Sequence, residues 1–209
     1  MDHDSWAIEK SLFSKGLKMV AGVDEAGRGP LAGPVVSAAV ILPESFCENG
    51  VDDSKILTPA KRDRLYDQIY AASRAVGIGI IDSIEIDRIN ILQASLLSMA
   101  VAVKNLSPHP DYLLIDGKFT IPFNVPQRAV VKGDSLSISI AAASIVAKVT
   151  RDRLMEQYDT LYPEFGFAKH KGYPTKAHRA AIKEFGSCPI HRQSFKGVRR
   201  EEQMPLPGI

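Results

Sequence analysis

Gly22-Val23-Asp24-Glu25-Ala26-Gly27-Arg28-Gly29-Pro30 passes from small, apolar, strand-like residues through two adjacent acids into a glycine-rich turn. The element after that turn decides the fold. Gly27, Gly29 and Ala32 formally fit the dinucleotide fingerprint G-x-G-x-x-[GA], which requires a helix directly after the glycines. Here Pro30 and Pro34 lead instead into Val35-Val36, and Val35 to Leu42 is rich in the β-branched residues of a strand. A nicotinamide-dependent oxidoreductase is disfavoured on that ground, and no GK[ST] is present to complete a P-loop. The opening unit is therefore strand (Met19 to Asp24), glycine turn, strand. Its glycines serve a close approach of another kind, such as to a sugar edge.

The remaining elements emerge from local signals. Ser5 to Phe13 reads as a short helix. Thr58-Pro59 supplies a capping hydroxyl and a first-turn proline for a helix to about Ala72. Ala75 to Ile81 is strand-like. One longer helix is expected from Asp82, an N-cap with Glu85 three residues on, because Ile89, Leu92, Leu96, Met99 and Val103 recur at helical spacing. Tyr112 to Ile115 and Ala129 to Val131 are short buried-type strands. Ser135 to about Tyr158 is a helix whose alanines (Ala141, Ala142, Ala143, Ala147) permit close packing, and Thr175 to Phe185 is another, closed by Gly186. The tail after Pro205 reads as loose. This order predicts a mixed α/β layer with extra helices at the C-terminal end, and such a sheet places its site at strand ends. The expected organisation is a main domain over residues 1–160 and a basic helical appendage over 161–209, in one compact unit.

Composition narrows the class. A hydrophobic share of 45% with 24% charged residues is that of a soluble globular protein, and no apolar run approaches the ~18 residues of a membrane span. Met1 to Lys18 is too polar and acidic for a signal peptide, so a cytoplasmic location and no membrane partner are expected. Cys47 and Cys188 form no CxxC pair, which argues against structural zinc or a disulfide scaffold. The five histidines show neither HExxH nor finger spacing, and no GxSxG elbow appears. The net charge of +2 conceals an asymmetry: residues 169–200 hold nine Lys/Arg against the single acid Glu184. A basic segment on an otherwise acidic body suits a polyanion touching one side, although charge alone fits a solvated surface equally well.

Four carboxylates fall at expected element ends: Asp24 and Glu25, Asp116 after Tyr112 to Ile115, and Asp134 before the alanine-rich helix. Taken singly, Asp116-Gly117 is a hairpin turn and Asp134 a helix cap. Taken together they suggest a shared site, because hard divalent cations want several oxygen ligands. Ser144, Lys148 and Asp152 share one helix face, where Ser144 and Lys148 can address a phosphate or Lys148 can pair with Asp152. His170-Lys171-Gly172-Tyr173-Pro174-Thr175 sets an aromatic ring among cations, a mixture that stacks on a sugar or base and holds its phosphates. Asp52 and Asp53, before Ser54-Lys55, read as a polar loop beside the site.

The chain resembles the bacterial ribonuclease HII family over nearly its whole length. The stretch from Gly22 to Leu31 carries the resemblance with Asp53-Ser54-Lys55, Asn90-Ile91-Leu92, Leu114-Ile115-Asp116-Gly117 and Val131-Lys132-Gly133-Asp134. It continues through Ala142-Ala143-Ser144-Ile145, Ala147 to Asp152, His170 to Thr175 and His191-Arg192-Gln193-Ser194-Phe195. The resemblance implies a ribonuclease H-like fold: a mixed five-stranded sheet flanked by helices, with a C-terminal helical segment. It implies an endonuclease that cuts RNA in RNA–DNA hybrids and cuts 5′ of a single ribonucleotide embedded in duplex DNA, leaving 3′-hydroxyl and 5′-phosphate ends. Ribonucleotide removal and primer removal would be its tasks, and a monomer is the default. By the family's motifs Asp24, Glu25, Asp116 and Asp134 are the catalytic, metal-binding acids, with two Mg²⁺ or Mn²⁺ ions ~3.5–4 Å apart at the scissile phosphate. Gly27, Arg28, Gly29 and Tyr173 recognise the 2′-hydroxyl and the RNA–DNA junction. Ser54, Lys55, Ser144, Lys148, Lys171 and Ser194 are further substrate contacts, with salt-sensitive affinity expected. A non-catalytic hybrid-binding module of the same fold is the competing reading, and the presence of all four acids argues against it.

Overall fold

The structure, a computed structural model, describes residues 4–47, 51 and 57–199. Five strands form one sheet: β1 (Val20–Ala26), β2 (Val35–Ile41), β3 (Ala75–Ile81), β4 (Tyr112–Asp116) and β5 (Gln127–Val130). Their order is β3-β2-β1-β4-β5, with β1–β2 and β2–β3 antiparallel and β1–β4 and β4–β5 parallel. This is the expected mixed five-stranded sheet. Because β4 and β5 are parallel, Asp116-Gly117 cannot be a hairpin turn; Gly117 leaves the strand end at φ 104°. β1 also runs two residues beyond the expected end, so Asp24 and Glu25 lie within the strand, paired with Ala38 and Ser37.

Helices cover both faces. α1 (Ala7–Phe13), α2 (Pro59–Ala72) and α5 (Ile138–Leu161) lie on one, α3 (Ser83–Ile89) and α4 (Ile91–Lys104) on the other; α6 (Phe167–His170) and α7 (Lys176–Phe185) come last, at the C-terminal end. Alternation along β2 divides the core, since successive strand residues point to opposite faces. Ala38 and Val40 pack with Leu65, Ile69 and the α5 alanines, whereas Ala39 and Ile41 pack with Met99, Ala102 and Val103. Thr58, Asp82 and Thr175 cap their helices as expected, each accepting a backbone N–H three residues on.

Two helix expectations are corrected. The single helix from Asp82 is broken at Asn90, whose backbone takes φ 71° while its side chain accepts the Leu92 and Gln93 N–H groups. The apolar spacing survives the break because both helices pack against the same sheet face. The alanine-rich helix starts at Ile138 rather than Ser135, capped by the Ser137 hydroxyl; a 3-10 turn, Gly133–Ser135, precedes it and holds Asp134. Asp134 is thus not that helix's cap.

Candidate active site

The site is built by packing. A Cβ on Gly22 would stand 2.0 Å from the Ser139 carbonyl carbon, so α5 lies with its first turn directly on β1. Asp24 shares the facing parity of Gly22, and it is 4% exposed. Its Oδ1 accepts the Glu25 N–H at 2.7 Å, and Ser144 on α5 gives it a side-chain hydrogen bond. Val23 pairs with Ile115, so Asp116 ends the neighbouring strand beside it. Asp116 Oδ1 accepts the Gly133 N–H at 2.7 Å, which draws the turn bearing buried Asp134 to the same sheet end. Lys132 takes φ 57° to make that turn.

Electrostatics mark Asp24 and Glu25 as acids whose ionised form the site penalises. Burial first, then the charges of Glu25 and Asp116, hold the Asp24 carboxyl well above the usual carboxylate range. Burial also raises Glu25, partly offset by Arg28, whose Nη1 donates to Glu25 Oε1 at 3.2 Å. Strand alternation sends Glu25 to the α4 side, where it lines a cavity of about 30 Å³ with Leu92, Ser95 and Asp116. Hence, among the described residues, no three His, Cys, Asp or Glu side chains converge into a closed cation cage. The acids gather at one sheet end as an open set of hard oxygen donors, which fits a divalent ion whose other ligands are water and phosphate.

The glycine turn is shaped by different demands at each glycine. Gly27 (φ 101°) has Arg151 Nε 2.1 Å from where a Cβ would be, and Gly33 (φ 84°) has Met155 Sδ at 2.3 Å. Those two glycines admit side chains from below. At Gly29 the nearest atom is Tyr173 Cε1 at 3.6 Å, so its outer face is bare and borders the Tyr173 ring, which is 42% exposed. Beyond Tyr173 opens a groove of about 780 Å³ lined by Arg62, Lys148, Arg153, Lys169 and Lys171. Lys148 pairs there with Asp152 at 2.6 Å and Lys171 with Glu156 at 2.7 Å. The Ser194 hydroxyl donates to Asp87 at 2.5 Å. Ser54 and Lys55 lie outside the described residues.

Imidazoles, whose spacing in the sequence marks no metal site, hold Tyr173 from behind. His178 Nδ1 donates to the Tyr173 carbonyl at 3.0 Å, so its Nε2 accepts from His191 Nε2 at 3.1 Å. His191 Nδ1 then accepts the Cys188 N–H at 3.0 Å and its thiol at 3.1 Å. Both rings must be neutral for this chain to close. Burial pushes each down to about 4, and pushes the Cys188 thiol up to about 11. Folded values below the ordinary imidazole value mean that the pair supports the fold above pH ~6.5 and withdraws that support as pH falls towards 4. Nitrogen-15 spectra at pH 6 are expected to show both rings neutral, His178 protonated at Nδ1 and His191 at Nε2. A charged ring at that pH would refute the arrangement.

Sheet order, flanking helices and acids at one sheet end define a ribonuclease H-like enzyme. The ribonuclease HII family model matches residues 21–198. The chain is 60% identical to ribonuclease HII of Geobacter metallireducens over 194 residues, covering 93% of this chain and 91% of that one. Among solved structures, the ribonuclease H2 of Pyrococcus horikoshii superposes with a TM-score of 0.72 at 31% identity, covering 86% of this chain and 94% of that chain. The Archaeoglobus fulgidus RNase HII solved with PCNA gives 0.69 at 26%, covering 88% and 98%. The chain belongs to the ribonuclease HII family, and is therefore a type-2 ribonuclease H, a metal-dependent endonuclease.

Proposed function

We propose that the chain cuts RNA in RNA–DNA hybrids and cuts duplex DNA on the 5′ side of a single embedded ribonucleotide, leaving 3′-hydroxyl and 5′-phosphate ends. The carrying observation is the bare face of Gly29 against the Tyr173 ring, on a loop that begins directly after the acid-bearing strand. A 2′-hydroxyl distinguishes RNA from DNA, and only a position without a side chain lets backbone groups reach it. Tyr173 packs on the adjoining deoxyribose, where a further hydroxyl is crowded. Asp24, Glu25, Asp116 and Asp134 would hold the divalent ions, two Mg²⁺ or Mn²⁺, as hard oxygen donors. Bound there, such ions would supply activation of water and charge stabilisation at the scissile phosphate. Ser144 orients the Asp24 carboxylate, and Lys148 and Lys171 line the groove that takes the strand's phosphates.

We read the working unit as a cytoplasmic monomer, with residues 1–160 as the catalytic body and 161–209 as a basic appendage. Phe165, Phe167, Ala181 and Ile182 of the appendage pack with Leu31, Ala32 and Met155, in keeping with one compact unit. Ribonucleotide removal and primer removal are the tasks that substrate implies. The likeness to the archaeal enzyme solved with PCNA supports a contact with replication machinery. An end-labelled duplex with one ribonucleotide, incubated with Mg²⁺ or Mn²⁺ and with EDTA as control, tests the reading. Metal-dependent cutting just 5′ of the ribonucleotide, absent on all-DNA duplex, is expected. Salt-sensitive binding without cutting would point to a hybrid-binding module instead.

A further inference from the structure

Arg151 on α5 and Arg192 after α7 are 1% and 0% exposed. Among the described residues neither guanidinium has a carboxylate at ion-pair distance. Removing a cation from water is costly, so the fold must compensate with other acceptors. It does so with carbonyls. Arg151 donates to Pro34 O at 2.9 Å, Ala32 O at 3.1 Å and Lys171 O at 3.0 Å. Arg192 donates from Nε to Gly33 O at 3.0 Å, from Nη1 to Arg28 O at 3.0 Å, and from Nη2 to Gly27 O at 2.6 Å and Gly33 O at 2.9 Å. Its backbone N–H adds Leu31 O at 2.8 Å. Six of the eight carbonyls from Gly27 to Pro34 are thus turned inward onto these two residues.

The consequence lies on the other side of each peptide plane. In a trans peptide the carbonyl of one residue and the N–H of the next point in opposite directions. With the Gly27 and Arg28 carbonyls fixed on Arg192, the N–H groups of Arg28 and Gly29 are aimed outward, where both residues are exposed. Consecutive outward amides form a concavity suited to an oxygen ligand. Arg151 joins this loop to the Tyr173 turn through Lys171 O, and Leu31 N–H adds a bond to Gly172 O at 2.8 Å. A guanidinium can serve these divergent acceptors at once, because its five donors spread over a planar fork, whereas an ammonium offers three from one point.

We infer that Arg151 and Arg192 are positioning residues for ribose discrimination, holding the Arg28 and Gly29 amides and the Tyr173 turn in place before substrate arrives. This rests on the proposed reading of the loop as the 2′-hydroxyl sensor. The test compares duplexes carrying a 2′-hydroxyl, 2′-fluoro or 2′-deoxy sugar at one position, with kcat and KM measured for wild type, Arg192→Lys and Arg151→Lys. Wild type is expected to favour the hydroxyl strongly. In the variants the hydroxyl-to-fluoro ratio of kcat/KM should shrink at least about tenfold, mainly through kcat on the hydroxyl substrate. Folded variants that keep the wild-type ratio, even with all rates lowered together, would overturn the inference. A wild type indifferent to the 2′-hydroxyl would instead overturn the reading beneath it. Backbone relaxation of the free wild-type protein needs no variant: order parameters of about 0.85 at Arg28 and Gly29 are expected, and values below about 0.6 would sink the preset platform.

Discussion

Asp24→Asn is expected to abolish turnover and at the same time to stabilise the metal-free protein. The carboxyl is buried, faces the charges of Glu25 and Asp116, and is held well above its ordinary range. A folded value above the unfolded one means that the native state prefers the protonated form. The ionised group therefore costs stability as pH rises through that raised value. Asparagine keeps the shape and removes the charge. In EDTA at pH 8 the variant should gain about 1–3 kcal/mol, a Tm rise of roughly 2–12 °C. Adding Mg²⁺ or Mn²⁺ should narrow or reverse that gap, because the ion rewards only the ionised acid. Turnover should fall by about 10³-fold or more, several kcal/mol of charge stabilisation being lost, while duplex binding persists. Near-normal cutting by the variant would remove Asp24 from the chemistry. An unchanged Tm in EDTA would show that the repulsion is relieved some other way.

Gly22→Ala should be the most disruptive single methyl in the site. The added carbon would meet the Ser139 carbonyl carbon at 2.0 Å and the Ile140 nitrogen at 2.3 Å. These are backbone atoms, so no side chain can rotate aside, and α5 must be pushed off β1. Overpacking of this kind costs about 3 kcal/mol, which for a chain of this size lowers Tm by roughly 6–12 °C. α5 carries Ser144 against Asp24, and Asp134 sits in the turn just before it. A shift near 1 Å there can cost about 10²-fold in rate. Reduced kcat at 25 °C with an intact circular dichroism spectrum is the expected outcome. A variant that melts and turns over like wild type would mean that the helix is free to ride outward without consequence.

Local chemistry was legible where one residue's preference settles the matter. Thr58, Asp82 and Thr175 cap helices because a side-chain oxygen meets an amide three residues on, whatever the rest of the chain does. β3 matched its expected bounds because β-branched residues and glycine alternate there. The break at Asn90 was hidden, since the apolar period runs unchanged across it and only the backbone at φ 71° reveals it. Asp134 reads as the cap in the sequence; the packing of α5 against β1 gives that role to Ser137.

By itself, then, the sequence determined the strand–turn–strand opening and the helix starts capped by Thr58, Asp82 and Thr175, because these depend on neighbours a few residues away. The parallel pairing of β1 with β4 and of β4 with β5, the opposite facing of Asp24 and Glu25, and the Gly29–Tyr173 corner were decided only in the tertiary structure. Nothing local to Arg151, Arg192 or His178 signalled its burial. An arginine or histidine is by default a surface residue; Arg151 and Arg192 became interior because carbonyls from distant segments accept their hydrogen bonds, and His178 because Tyr173 O and His191 take up its two ring nitrogens.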